Sequence, residues 1–403
     1  MGLARPGERE LPSVIDRLAA HSGDGAVVTL TLDVSKSSIL PAPTRIFFKN
    51  RVLKSLAPEG RAQEERAALE ALTSRLTAYV GSIVRPETNG VYVAAGGGLW
   101  ESLELQVPLP NFLHQGRAPY LAPLLEALDR GSRCWVARGD ERECRLDAFE
   151  MGVWTEIDRW APAAVERDAE RIVTGRSPAS ASGTVRAKTS VGGGKRDRFE
   201  QSLEAETSRA LEALARRLAT LDAARPATAL FWFGDAEHFR EFRNHLPSAI
   251  RSRAEHLGPL PRKENHLREK VERTSEKRVL DRRAAEVSEF QERRAQGHLV
   301  ALGPGDILAH RSGGRLVRLF VDAQNPVMGR ECRPCGSLYA GLESMCGFCG
   351  GPTVPASVTQ DVVARAWTHP PLPITFVSGS EKWLKDLGGM AGLLSQKGMR
   401  VRR

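Results

Sequence analysis

Val191-Gly192-Gly193-Gly194-Lys195-Arg196-Asp197-Arg198-Phe199 stands where the chain passes from short strands to a long helix, and the reading of the fold turns on it. Consecutive glycines let a backbone approach a ligand closely, and flanking cations suit phosphate. A flexible basic linker explains the same residues. The surroundings sharpen the choice. Between Arg171 and Arg198 there are seven basic residues and a single acid, Asp197, so most of the chain's net +9 lies in this one window. The candidate RNA-binding residues are Arg186, Lys188, Gly192, Gly193, Gly194, Lys195, Arg196 and Arg198.

Upstream of the glycines, three β-rich runs follow one another: Cys134–Arg138, Glu143–Phe149 and Trp154–Ile157, with turn residues between them. Residues 171 to 195 are rich in Arg, Ser and Gly and read as a long loop. Downstream, a helix is expected from about Phe199, with Leu203, Leu211, Leu214, Leu218 and Leu221 on one stripe. Ala229–Phe233 then reads as a fully buried strand and residues 236 to 246 as a helix. The sum is a mixed α/β domain, 126–262, with a glycine loop at 171–198.

On the N-terminal side, Val27–Val34 and Val91–Ala95 read as strands, with Gly96-Gly97-Gly98 turning into a third at 100–107. Leu69, Leu72, Leu76 and Tyr79 give residues 61–80 helical spacing. This is an α+β domain, 1–125. On the C-terminal side, a charged helix to Ala295, a strand at Leu316–Val321, a helix at 358–367, a strand at 374–377 and a glycine turn at 387–394 make an α/β domain, 263–403. The run from Arg262 to Arg283 reads as a solvated helical face, and His256 and His266 beside it as solvated histidines.

That last domain is interrupted at 330–352 by Cys332-Arg333-Pro334-Cys335-Gly336 and Cys346-Gly347-Phe348-Cys349-Gly350. Two C-x-x-C-G knuckles ten residues apart place four thiolates about one Zn2+, and a site closed by four protein ligands is structural. A pair of disulfides or redox dithiols is the competing reading; the lack of any secretory signal favours zinc. Cys134 and Cys144 fall in expected strands and read as small buried hydrophobes.

Composition bounds the rest. In 403 residues, 41% are hydrophobic and 27% charged, enough to bury real cores. No apolar run approaches a membrane span, so a cytoplasmic protein without membrane contact is expected. G-x-S-x-G, G-x-x-x-x-G-K-[ST] and H-E-x-x-H are all absent from the sequence.

The order of these parts resembles the archaeo-eukaryotic class I release factor and Pelota superfamily, in its Balon-like bacterial branch. The resemblance implies an RNase H-like middle domain and an L7Ae-like third domain with a zinc-ribbon insertion. In release factors the middle loop carries Gly-Gly-Gln, then an Arg-Phe pair that opens the helix; Gly192, Gly193 and Arg198-Phe199 match, and Gly194 stands in place of the glutamine. Gly388-Gly389-Met390-Ala391-Gly392-Leu393-Leu394 is similar to the family's Gly-Gly-Ile-Ala-Ala-Ile-Leu ending. The implied function is that of a ribosome-associated A-site factor in hibernation or rescue, touching rRNA and tRNA and delivered by a GTPase of the elongation-factor Tu type. The alternatives are a peptidyl-tRNA hydrolase and an RNA-binding protein outside translation. Gly194 inclines the reading away from an enzyme, because the family's glutamine helps place water at the peptidyl-tRNA ester.

Overall fold

An antiparallel sheet forms first along the chain, from β1 (Val27–Asp33), β2 (Gly90–Gly96), β3 (Leu99–Leu105) and β4 (Phe112–Gly116), in the order β3-β2-β1-β4. The structure, a computed structural model, describes residues 11–21, 25–34, 40–57, 63–83, 87–139, 143–160, 193–310, 314–368, 372–377 and 381–395; at 64–65 and 193–203 it describes the helical backbone alone. β1 and β2 are buried almost throughout, as their β-branched and small apolar residues demand. Gly96, Gly97 and Gly98 all have positive φ, which the tight β2–β3 hairpin requires. The helix Gln63–Ser82 lays Leu76 and Val80 on this sheet beside Phe48, Val52 and Leu56.

Those last three residues belong to a helix that the sequence reading did not identify. Ala42–Phe47 is α-helical and continues as a π-helix, Phe48–Leu53. Its buried positions, Thr44, Phe48, Val52 and Leu56, recur every four residues. At 3.6 residues per turn such a stripe drifts by about 40° at each step. The wider π turn cancels the drift and keeps all four against the core.

The middle sheet contains β5 (Cys134–Gly139), β6 (Cys144–Glu150), β7 (Val153–Trp160), β8 (Ala229–Gly234) and β9 (Ala254–His256), in the order β7-β6-β5-β8-β9. The first three form an antiparallel meander; β8 runs parallel to β5, and β9 parallel to β8. On one face Trp135, Leu146, Leu230 and Trp232 pack on Leu211, Leu214 and Leu218 of the helix Gly193–Ala224 and on Phe242 of the helix Ala236–His245. On the other face Cys134, Val136, Phe149, Phe231 and Phe233 meet Leu267 and Val271 of the helix Glu264–Ala295. Cys134 and Cys144 are buried in these two cores.

One charged group is sunk into the second face. The Arg138 Nε donates to Asp147 Oδ2 at 3.0 Å, and Arg138 also pairs with Glu264 at 2.9 Å. Asp147 is fully buried. Burial pushes its carboxyl up, against the opposing pull of the Arg138 guanidinium.

The last sheet holds β10 (Val300–Leu302), β11 (Leu316–Val321), β15 (Ile374–Phe376) and β16 (Met390–Leu394), in the order β10-β16-β11-β15; β12 (Met328–Cys332), β13 (Leu338–Tyr339) and β14 (Thr353–Ser357) form a separate small sheet that carries the cysteines of the two knuckles. The expected glycine turn is present, with Gly388 and Gly389 both at positive φ, and its apolar end is the buried internal strand β16. Phe290, Phe320, Ala391 and Leu393 make the core, with Trp383 against it.

The chain divides into two compact units, residues 132–276 and residues 1–131 with 277–403. Within the second, the two chain segments are joined by the Leu121 N–H donating to Gln360 Oε1 at 3.1 Å and by Arg283 bonded to Asp129 at 2.7 Å and Glu126 at 3.2 Å.

Three expectations need correction. The helix expected from Phe199 is helical from Gly193, because Lys195 and Arg196 are good helix formers and glycine is tolerated in a first turn. His256 is not solvated: its ring lies on Phe239 at 5.3 Å and its Nε2 is 2.9 Å from the Gly234 carbonyl oxygen. The run 262–283 is not wholly a solvated face, since Arg283 turns inward onto Glu126 and Asp129. No described helix is long and apolar enough to cross a membrane.

Candidate metal centre and glycine segment

β12 (Met328–Cys332) pairs antiparallel with β13 (Leu338–Tyr339) on one side and β14 (Thr353–Ser357) on the other. Each knuckle hangs from this small sheet in the same way. After Cys332 the chain turns so that the Gly336 N–H donates to the Cys332 carbonyl at 2.9 Å; after Cys346 the Gly350 N–H donates to the Cys346 carbonyl at 2.9 Å. Gly336 and Gly350 both have φ +68, a conformation that side chains rarely adopt, so the glycine in each C-x-x-C-G is a backbone requirement.

These turns bring together all four cysteines picked out in the sequence. The sulfurs of Cys332, Cys335, Cys346 and Cys349 lie within 4.8 Å of one another, with Cys332–Cys349 at 3.4 Å and Cys335–Cys346 at 3.5 Å. A tetrahedron of sulfurs at about 2.3 Å from a central ion has edges of about 3.8 Å, and a disulfide needs about 2.05 Å. The spacing therefore fits an ion better than two bridges, and the four thiols can hold a metal.

The surroundings differentiate the four sulfurs. The Tyr339 hydroxyl lies 2.9 Å from Cys346 Sγ, and the Phe348 N–H donates to the same sulfur at 3.4 Å. The Tyr339 hydrogen bond holds the Cys346 thiol down, to about 6. Burial pushes the Cys332 thiol up to about 12, where an ion is needed to stabilise its charged form. The Ser337 hydroxyl, 3.2 Å from Cys335 Sγ, favours that thiolate. Tyr339 and Ser337 were missed from sequence; their positions in the spacer between the knuckles are the only signal that could have found them.

Of the glycine-segment residues, Arg186, Lys188 and Gly192 lie outside the described residues. Gly193, Gly194, Lys195, Arg196 and Arg198 form the first turn and a half of the helix Gly193–Ala224. The far end of that helix is pinned by Asp222, whose Oδ1 accepts from Trp135 Nε1 at 2.9 Å and from the Ala227 N–H at 3.0 Å, and whose other oxygen pairs with Arg253. The segment thus opens a helix whose body is held firmly on the middle sheet.

Residues 119–274 match the model of bacterial archaeo-eukaryotic release factor family 10. No curated protein matches the chain by sequence. Among solved structures it is similar to Pelota of Archaeoglobus fulgidus, with 14% identity over 77% of this chain and 80% of that one and a TM-score of 0.30. It is also similar to the archaeal translation termination factor aRF1, with 13% identity, 96% and 98% coverage and a TM-score of 0.24. Dom34 of S. cerevisiae gives 8% identity, 75% and 73% coverage and a TM-score of 0.37. Superpositions this loose decide nothing by themselves. The family match takes in the whole middle sheet and the helices Gly193–Ala224 and Ala236–His245, and over this part the chain is similar to the bacterial archaeo-eukaryotic release factors.

Proposed function

We propose that this protein is a ribosome-associated factor that occupies the A site of idle or stalled ribosomes, in hibernation or rescue. The observation that carries the reading is the family match over 119–274, which includes the helix opening on Gly193-Gly194-Lys195. Placing a water for attack needs a hydrogen-bonding group within about 3 Å of it, and Gly194 offers only backbone where the release factors that the sequence resembles have glutamine. Binding without chemistry is the function that remains. Arg186, Lys188, Lys195, Arg196 and Arg198 contact phosphates of rRNA and tRNA, with Gly192, Gly193 and Gly194 allowing the close approach. A GTPase of the elongation-factor Tu type delivers the protein, which acts in the cytoplasm.

In this reading the chain works as three domains, 1–125, 126–262 and 263–403. The antiparallel meander followed by two parallel strands in the middle sheet supports an RNase H-like assignment. The four-stranded β10-β16-β11-β15 sheet supports an L7Ae-like domain, with 330–352 as its zinc ribbon. Zn2+ suits four thiolates and supplies a cross-link, with every coordination position taken by the protein.

The test is sedimentation of the full chain with 70S ribosomes, then incubation with ribosomes carrying labelled peptidyl-tRNA in the P site. Comigration without peptide release is expected. Release exceeding the amount of protein added would move the reading to a peptidyl-tRNA hydrolase. Failure to comigrate at low salt would move it outside translation. Reversing Arg186, Lys188, Lys195 and Arg196 to Glu should weaken ribosome binding and flatten its salt dependence, and Gly194→Gln should restore at most partial hydrolysis.

A further inference from the structure

Several cations elsewhere in the described structure are matched by acids. Along the helix Glu264–Ala295, Lys277 pairs with Asp281, Arg282 with Asp129 and Arg293 with Glu289. The α/π-helix Ala42–Leu53 and the residues after it are different. Between Ala42 and Ala57 the chain carries Arg45, Lys49, Arg51 and Lys54 and no acid. All four are exposed, and among the described residues none of their side chains forms an ion pair or a hydrogen bond.

Helix geometry explains why the four cations share the outer surface. Thr44, Phe48, Val52 and Leu56 hold the inner line at every fourth residue, flanked by the partly buried Phe47 and Leu53, and the remaining positions between them are turned outward. Arg45 and Lys49 then follow one another along one flank, Lys54 lies on the outermost line with Asn50, and Arg51 lies on the opposite flank with Ser55. From Arg45 to Lys54 the helix rises roughly 13 Å.

We propose that this helix is an RNA-backbone-binding surface, separate from the glycine segment, on which Arg45, Lys49, Arg51 and Lys54 contact phosphates and Asn50 and Ser55 offer hydrogen bonds to sugar or phosphate. Three occupants compete for an unpaired basic surface. A membrane surface calls for an exposed apolar stripe, and here the apolar stripe is turned into the core, leaving Ile46 alone exposed. A protein interface calls for an aromatic or aliphatic centre surrounded by polar residues, and Ile46 is the single exposed large apolar residue on the helix. Cations interleaved with Asn and Ser, without apolar anchors, are what a phosphate backbone meets. The π turn serves the surface indirectly, because it keeps the inner line buried and so holds the cations outside.

The test titrates the full chain against a fluorescein-labelled 20-base-pair RNA duplex at several salt concentrations. The variant R45Q/K49Q/R51Q/K54Q should bind at least tenfold more weakly near 0.15 M salt, with a slope of log affinity against log salt smaller by up to about 3.6, each lost phosphate contact removing about 0.9. The charge-keeping variant R45K/K49R/R51K/K54R should bind like wild type. Should the fourfold Gln variant fold poorly by circular dichroism, K49Q/K54Q should show about half the change in slope. An unchanged slope in a folded Gln variant would overturn the proposal. So would tighter binding of the wild type to polyglutamate or phosphatidylserine vesicles than to the duplex. The proposal does not rest on the A-site reading. Ribosome sedimentation run in parallel separates the two: loss of comigration by the wild type defeats that reading, while the duplex titration alone decides this one.

Discussion

In the middle sheet Trp135, Trp232, Phe231 and Phe233 are buried to within 1% of full burial, whereas in the cysteine module Leu342, Met345 and Phe348 are 85%, 58% and 84% exposed. The first region removes large apolar surfaces from water on both faces of a sheet, each methylene contributing about 0.8 kcal/mol. The second has three short strands whose large apolar residues, Leu338, Tyr339 and Val354, are only partly buried, and a segment that small cannot build a sufficient core. It converges on four sulfurs instead. The difference teaches that the middle sheet is held by its own apolar core, whereas the module lacks one and gathers four thiols that can hold a metal in its place.

The sharpest way to break this comparison is Cys346→Ser. Structural zinc contributes about 10 kcal/mol or more to the folding of small modules. The variant should lose stoichiometric metal by elemental analysis, and amides of residues 328–357 should lose protection from hydrogen exchange while those of β5 and β8 keep theirs. Metal retained at one equivalent, or a module still protected, would contradict the contrast.

The corresponding perturbation of the middle sheet is Arg138→Ala. It leaves Asp147 buried without its main partner, at a cost of about 3–5 kcal/mol in urea unfolding. Replacing both, as Arg138→Met with Asp147→Leu, should recover most of the loss, because an apolar pair of similar volume suits this site about as well. A double variant no better than the single one would mean that the ion pair itself, and not the burial around it, holds this face.

The N-terminal sheet offers a third case, a buried titratable ring with no opposite charge. His114 lies in β4 against Tyr120, ring centroids 4.7 Å apart, and among the described residues its Nε2 has no hydrogen-bond partner. Burial holds its pKa down to about 4. In the unfolded chain the ring titrates near 6.5, so from about pH 6.5 down to 4 the unfolded state takes up a proton that the folded state refuses. Stability should fall over that range by roughly 3 kcal/mol, and His114→Phe should remove this component. Equal acid sensitivity of wild type and variant in urea midpoints at pH 7 and pH 4.5 would show that the ring titrates freely.

The smallest effect is expected at Tyr339→Phe. Losing one hydrogen bond to the Cys346 sulfur costs about 1 kcal/mol, equivalent to about fivefold faster metal release to a chelator, with the fold unchanged. No change in release rate would remove Tyr339 from the metal's environment.

Much of this was legible in the chain. The strand at Leu316–Val321, the Gly-rich hairpin after β2, the leucine stripe through Leu211, Leu214 and Leu218, and the paired knuckles all carry local signals, either a periodicity or a turn that a particular residue type demands. β4 and β9 carried none. Phe112–Gly116 contains His and Gln, and Ala254–His256 is three residues long; each is a strand because a neighbouring strand supplies its hydrogen bonds. The helix from Ala42 was missed because a four-residue period fits neither of the patterns by which helices and strands are sought.

By itself, then, the sequence determined the burial of its regularly patterned strands and helices and which four thiols must meet, because alternation, helical spacing and the C-x-x-C-G turn act over a few residues. Only the tertiary structure decided that Arg283 would reach back to Asp129, that the Leu121 N–H would find Gln360, and that Tyr339 would stand over the Cys346 sulfur. The first two contacts span more than 150 residues. Contacts of that range are selected by the packing of whole elements, and packing leaves no periodic trace in the residues that make them.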